Sequence, residues 1–300
     1  MKNITRFFTV IISFVISAPV MAGINVFACE PEWASLVDEL GGERVSRYAA
    51  TSAFQDPHHI EARPSLIAKI RRADLVVCSG AELESAWLPL LLRQASNTNI
   101  MPGKSGYFEA AATVERLDVP VNVDRSLGDI HVSGNPHVHL DPRRIEIIAE
   151  ALFTRLSVID SEGSAYYQKR FSNFKQRWQT AIQQWQQQAR ELNGQRIVVH
   201  HRDWVYLFDW LGIEIAGALE PKPGLPATAG HLSLLTNNIK ENPAKMIVHT
   251  PYQNTRAAQR LAQITNTPVV ELPYTVGGNE QVKDLFDLFS VIIEKLKGAL

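Results

Sequence analysis

No excess of basic charge marks this 300-residue chain, in which 30 lysines and arginines stand against 31 aspartates and glutamates. A nucleic-acid partner demands a basic face, so that class is set aside. Charged residues make up only 20% and apolar residues 45%, the balance of a globular protein rather than a disordered one. The chain contains neither an HExxH motif nor a Gly-x-Ser-x-Gly elbow, two signatures of zinc proteases and serine hydrolases. Cysteine occurs twice, at Cys29 and Cys78.

Long apolar runs are scarce too. The one that stands out is Phe7 to Ile16, preceded by Lys2 and Arg6 and followed by Val20-Met21-Ala22. A basic start, a short apolar centre and small residues at the end are the grammar of a secretory signal peptide, with cleavage expected after Ala22. A membrane anchor would need about 20 apolar residues, and Pro19 cuts this run short. Loss of Lys2 and Arg6 takes the 30 basic groups to 28, against 31 acidic ones, for a net charge of −3. Residues 1–22 are thus expected to be a leader, and the mature protein to work in the periplasm.

An oxidising compartment favours pairing of two cysteines. Cys29 and Cys78 each end a short apolar run. If those runs are neighbouring parallel strands, a disulfide is within reach. Lipidation of Cys29 and two separate buried thiols are the other readings.

Short β-rich runs alternate with helical ones. The expected order is strand 24–29, helix 31–40, strand 45–50, helix 64–72, strand 74–78, helix 81–94 and a short strand 99–101. After residue 195 the pattern repeats, with strands 196–200, 213–216, 245–249 and 268–272 and helices 202–211, 231–241, 255–265 and 281–296. This is an α/β chain with two lobes, each built on a mostly parallel sheet flanked by helices.

Between the halves, residues 160–193 contain no proline and one early glycine. Tyr167, Phe171, Phe174, Trp178, Ile182, Trp185, Ala189 and Leu192 recur at spacings of four and three, one apolar stripe on a helix. About 33 residues at 1.5 Å each make a rod of roughly 50 Å. Large aromatics at these positions suit a groove on the protein's own lobes better than a coiled-coil seam. The expected division is therefore 23–159 for the first lobe, 160–194 for one long rigid linking helix, and 195–300 for the second lobe.

Seven of the nine histidines fall in three clusters: Asp56-Pro57-His58-His59-Ile60-Glu61, His131 with Asn135-Pro136-His137-Val138-His139, and His200-His201-Arg202-Asp203. Each sits after a strand or in a loop leading to a helix, and such loops line the crevice at the carboxyl ends of parallel strands. Three imidazoles from separate loops can converge there, and imidazole is a favoured zinc ligand. His231 and His249 read as a helix-start residue and the end of an interior strand.

Taken together, these segments resemble the solute-binding proteins of zinc and manganese ABC importers, the cluster A-I or cluster 9 family. The resemblance rests on Asp56 to Glu61 followed by Pro64, the strand Ala73 to Val77, the turn Gly80 to Glu84, Pro136-His137 with Leu140-Asp141-Pro142, His201 five residues before Tyr206, and the long helix. It implies that His58, His137 and His201 ligate the metal. His59, His131, His139 and His200 are then supporting or metal-capture residues. His139 departs from the family, which usually has an aromatic there, and could compete with His137. The family's usual fourth ligand is a carboxylate after the last strand. Val276 occupies the ungapped position, so Glu280, beyond the flexible Gly277-Gly278, is the expected acid.

Three imidazoles and a carboxylate suit Zn2+ better than Mn2+, which prefers oxygen-richer sets. The resemblance implies a non-enzymatic, monomeric carrier that delivers zinc to the permease of an ABC importer, with a periplasmic metallochaperone as a further partner. The short loop 121–135, with Asp124, Asp129 and His131, is a candidate for gathering zinc. A secreted zinc hydrolase with three histidines, a bound water and Glu61 as base is the alternative.

Overall fold

A computed structural model describes residues 23–121 and 131–300. The expected leader, residues 1–22, and the part of the loop that carries Asp124 and Asp129 lie outside the described residues. Among the described residues, no helix is long and apolar enough to cross a membrane.

The first sheet contains β1 (Ile24–Ala28), β2 (Val45–Ala49), β3 (Leu75–Cys78) and β4 (Tyr107–Glu109) in the order β2-β1-β3-β4. The second contains β5 (Arg196–Val199), β6 (Glu214–Ala218), β7 (Met246–His249) and β8 (Val269–Glu271) in the equivalent order β6-β5-β7-β8. Every pairing is parallel. The central strands are apolar because both their faces are covered: all four residues of β3 and of β7 are buried.

The helices that cover the first sheet are α1 (Pro31–Gly41), α2 (Pro64–Arg71), α3 (Leu88–Ala95) and α4 (Pro142–Ile159). Each carries proline in its first turn, where a missing N–H leaves no hydrogen bond unmade. The second half supplies α6 (Val205–Leu211), α7 (Ala229–Glu241), α8 (Arg256–Thr265) and α9 (Leu285–Gly298). Gly212, at φ +68°, closes α6 in the left-handed conformation that glycine adopts without a Cβ clash.

The linking helix, α5, runs from Ser164 to Gln188, shorter than the sequence periodicity predicts. Single 3-10 turns, Ser161–Gly163 and Arg190–Leu192, extend the apolar pattern at either end without continuing the α-helix. Its 25 residues span about 38 Å. The aromatic stripe packs within the chain: Trp178 lies against Phe174, Trp185, Phe286 and Phe289, and its indole donates to the Pro142 carbonyl at 2.7 Å. One hydrophobic core thus runs from β1 and α1 through α4 and α5 to α9 and β5.

Three local expectations fail. Residues 81–87 form turns rather than the first half of a helix, because Ala81 and Glu82 adopt positive φ. The fourth strand of the first sheet is Tyr107–Glu109, while Thr98–Ile100 is a 3-10 turn. Helix α4 has no counterpart in the expected order of elements. Cys29 and Cys78, at the ends of adjacent strands β1 and β3, form a disulfide with Cα atoms 4.8 Å apart. Both residues are fully buried, and with its sulfur in the disulfide Cys29 has no thiol left for lipid attachment.

Candidate metal centre

Three loops at the carboxyl ends of strands meet between the two sheets, and each delivers one imidazole. His58 lies in the loop after β2. There Asp56 accepts hydrogen bonds from the His58 backbone N–H at 3.0 Å and from its ring Nδ1 at 2.7 Å. The buried Trp87 indole donates to the Pro57 carbonyl at 2.9 Å, which pins the same loop.

His201 follows β5. Its Nδ1 is 2.7 Å from Glu220, which stands just beyond β6 and also accepts from the Gly224 N–H. His137 precedes α4 and is completely buried. Asn135 sets its position by accepting from the His137 N–H and donating to the Arg202 carbonyl, and Tyr206 donates to the Asn135 carbonyl. His137 Nδ1 lies 2.7 Å from the Tyr274 hydroxyl, which enters from the segment after β8.

With each Nδ1 committed to an oxygen, the second ring nitrogens are left to face one another. One donor atom from each of His58, His137 and His201 lies within 4.8 Å of the others. The ring centroids are 5.6, 5.6 and 5.8 Å apart. Oxygen partners of this kind fix the tautomer and aim of a metal-binding histidine.

Electrostatics sort the rings. Burial drives the His137 pKa well below its ordinary value, and the neighbouring histidines add to the effect. His131 is lowered to about 3, again chiefly by burial. Burial pulls His201 the same way, but the Asp203 charge and the Glu220 hydrogen bond overcome it and raise its pKa to about 9.

The carboxylate beside the cluster is Asp203. It is fully buried, and its Oδ1 lies 3.6 Å from His137 Nε2, while Gln253 donates to its Oδ2 at 2.8 Å. Neither that Oδ1 nor His137 Nε2 has a hydrogen-bond partner, as befits atoms that face a cation site. The 3-10 turn Arg202–Trp204 folds this side chain back beside His201. Its signal in the sequence is its place two residues after His201. Tyr274 was equally open to view, in the segment read only for carboxylates.

Glu280 is not brought to the histidines. It is exposed and does not join the group of close donor atoms. The chain turns back on itself there, with the Gly277 N–H bonded to the Val282 carbonyl. His139 does not compete with His137 either. It is fully buried, with one ring nitrogen 3.1 Å from the Tyr274 carbonyl and the other 3.3 Å from Glu32. His200 is part-buried beside Glu220 at 3.8 Å, and His59 is exposed; both line the mouth of the cluster, a cavity of about 330 Å³. His131 lies against His58. As expected, His231 lies in the first turn of α7 and His249 ends β7; their rings bond the backbone carbonyls of Ala218 and Thr250.

Residues 26–299 match the family model described as zinc-uptake complex component A, periplasmic. The chain belongs to this family. Members of the zinc-uptake family are periplasmic metal-binding proteins of ABC importers, not enzymes. The manganese ABC transporter substrate-binding lipoprotein PsaA of Streptococcus mitis is 20% identical over 95% of this chain and 93% of its own. The metal ABC transporter substrate-binding lipoprotein SloC of Streptococcus mutans is 25% identical over 50% of this chain and 47% of its own.

Among solved structures, a crystal structure of ZnuA superposes with a TM-score of 0.78 at 19% identity, covering 92% of this chain and 99% of that one. A cadmium-bound periplasmic metal-binding protein from Candidatus Liberibacter asiaticus gives 0.75 at 16% identity, covering 92% and 100%. Both show the same fold. The hydrolase reading finds no support: the family consists of binding proteins, and Glu61, the base it requires, is exposed.

Proposed function

We propose that this zinc-uptake family protein captures zinc in the periplasm and hands it, as a monomer, to the membrane permease of an ABC importer. The observation that carries this reading is the convergence of His58, His137 and His201 from three loops, with donor atoms within 4.8 Å. Nitrogen-rich sets favour zinc, whereas manganese prefers carboxylate and water oxygens at higher coordination. The manganese named for PsaA-type relatives is therefore not carried over to this chain.

The site suits capture rather than catalysis. Its ligands come from both sides of the cleft between the sheets, so an ion drawn into it ties the two lobes together. Metal analysis of protein purified without chelator tests the reading. We expect about one zinc per chain, and loss of tight zinc binding in His58→Ala, His137→Ala and His201→Ala. Protein that carries manganese in preference to zinc under equal supply would overturn it.

A further inference from the structure

His131 occupies a position that its neighbours do not otherwise explain. Its Nε2 lies 3.3 Å from His58 Nε2, and its ring centroid is 5.3 Å from that of His58 and 6.4 Å from that of His137. His58 Nδ1 holds its hydrogen against Asp56. In the tautomer that leaves both Nε2 atoms unprotonated, two lone pairs face each other. Alone they repel; a cation between them makes both ligands. In a tetrahedral zinc site with Zn–N of about 2.0–2.1 Å, adjacent donors stand roughly 3.3–3.4 Å apart, which matches the His58–His131 separation, while His131 stands outside the group of three whose donor atoms all lie within 4.8 Å of one another.

The chain builds this arrangement with some effort. Gly80, Ala81 and Glu82 adopt φ of +74°, +48° and +63°, three consecutive left-handed residues of which two are not glycine. Strain of this kind persists where the surroundings hold it, and it gathers at functional sites. Here it turns the Glu82 carboxylate toward Ser133. Ser133 donates to Glu82 twice, through its N–H at 3.1 Å and through its hydroxyl. The Gly134 N–H returns to the His131 carbonyl, and the Asn135 N–H bonds the Leu117 carbonyl. Residues 131–135 thus form a strap fastened to the turn at 80–82, which holds one imidazole at the His58 side of the cluster.

We propose that His131 is the fourth protein ligand to the cargo and that Glu82, through Ser133, positions it. This inference rests on the zinc-binding reading above. It makes the donor set four nitrogens, with Asp203 at the His137 side supplying negative charge, and it deepens the preference for zinc over manganese.

The test compares wild type, His131→Ala and Glu82→Gln. Zinc affinity is measured by chelator competition, and the nitrogen count around bound zinc by X-ray absorption. His131→Ala is expected to keep one zinc per chain, to bind it about 10–100-fold more weakly and to lose one imidazole from the shell. Glu82→Gln is expected to shift the imidazole count in the same direction, an effect that loss of a merely structural contact would not produce. Thermal melting of the metal-free variants checks that each is folded. Wild type with one zinc, and His131→Ala with unchanged affinity and imidazole count, overturns this proposal alone. Wild type that binds no zinc overturns the functional reading and this one with it.

Discussion

Each imidazole in the cluster is governed by the oxygen behind it. Asp56 backs His58, Glu220 backs His201 and the Tyr274 hydroxyl backs His137. For His201 the consequence is measurable. Its pKa of about 9 means that the metal-free protein carries a proton there at neutral pH, held by Asp203 and Glu220 against the opposing effect of burial. Zinc must displace that proton, because only neutral imidazole ligates. Affinity therefore rises with pH, by about tenfold per unit for one released proton, and levels off above about 9. Competition titrations from pH 6 to 8, and calorimetry in buffers of different ionisation heat, check it; a flat profile would contradict the assignment. His131 and His137, both held neutral, contribute no proton to this step.

At the scale of elements, the periodic segments are readable and the irregular ones are not. The alternation of apolar runs and amphipathic stretches marks seven of the eight strands among the described residues, with small shifts at their ends. The aromatic stripe of α5 is visible because a spacing of four and three can arise on one helix face. Trp178 is its centre, fully buried against α9 and bonded to the first residue of α4. Trp178→Ala is expected to lower stability by about 3–5 kcal/mol through the cavity it leaves, seen as a lower urea midpoint with zinc stoichiometry unchanged. What escapes the periodic reading is the turn at 80–82 and the strand 107–109. The first has a helix-like composition overruled by the backbone path that packing imposes. The second is three residues long, and its pairing with β3 rather than its own pattern makes it a strand.

For the molecule as a whole, two sheets of identical order share one core, and the disulfide staples the two central strands of the first. The bridge spans 49 residues of chain, and replacing both cysteines with alanine should cost about 2–5 kcal/mol. Denaturant unfolding with and without reductant measures this: the wild type should lose stability on reduction and the double variant should not respond. Closure across the lobes is also polar. Glu32 of α1 accepts a hydrogen bond from Thr275 of the opposite half and lies 3.3 Å from His139, whose other ring nitrogen faces the Tyr274 carbonyl. The buried His139 thus helps join the halves beside the site.

The amino-acid sequence by itself determined the α/β alternation, the spine between the halves and the three histidines that converge, since all three signals are local: periodicity, composition and a short motif after a strand. Only the tertiary structure decided which oxygens stand behind those rings, that Asp203 and His131 adjoin them and that Glu280 does not. Those partners are brought together from positions as far apart as 58 and 131 or 137 and 274. Their meeting depends on how two sheets pack about one helix, and no pattern along a single stretch of chain encodes that distance.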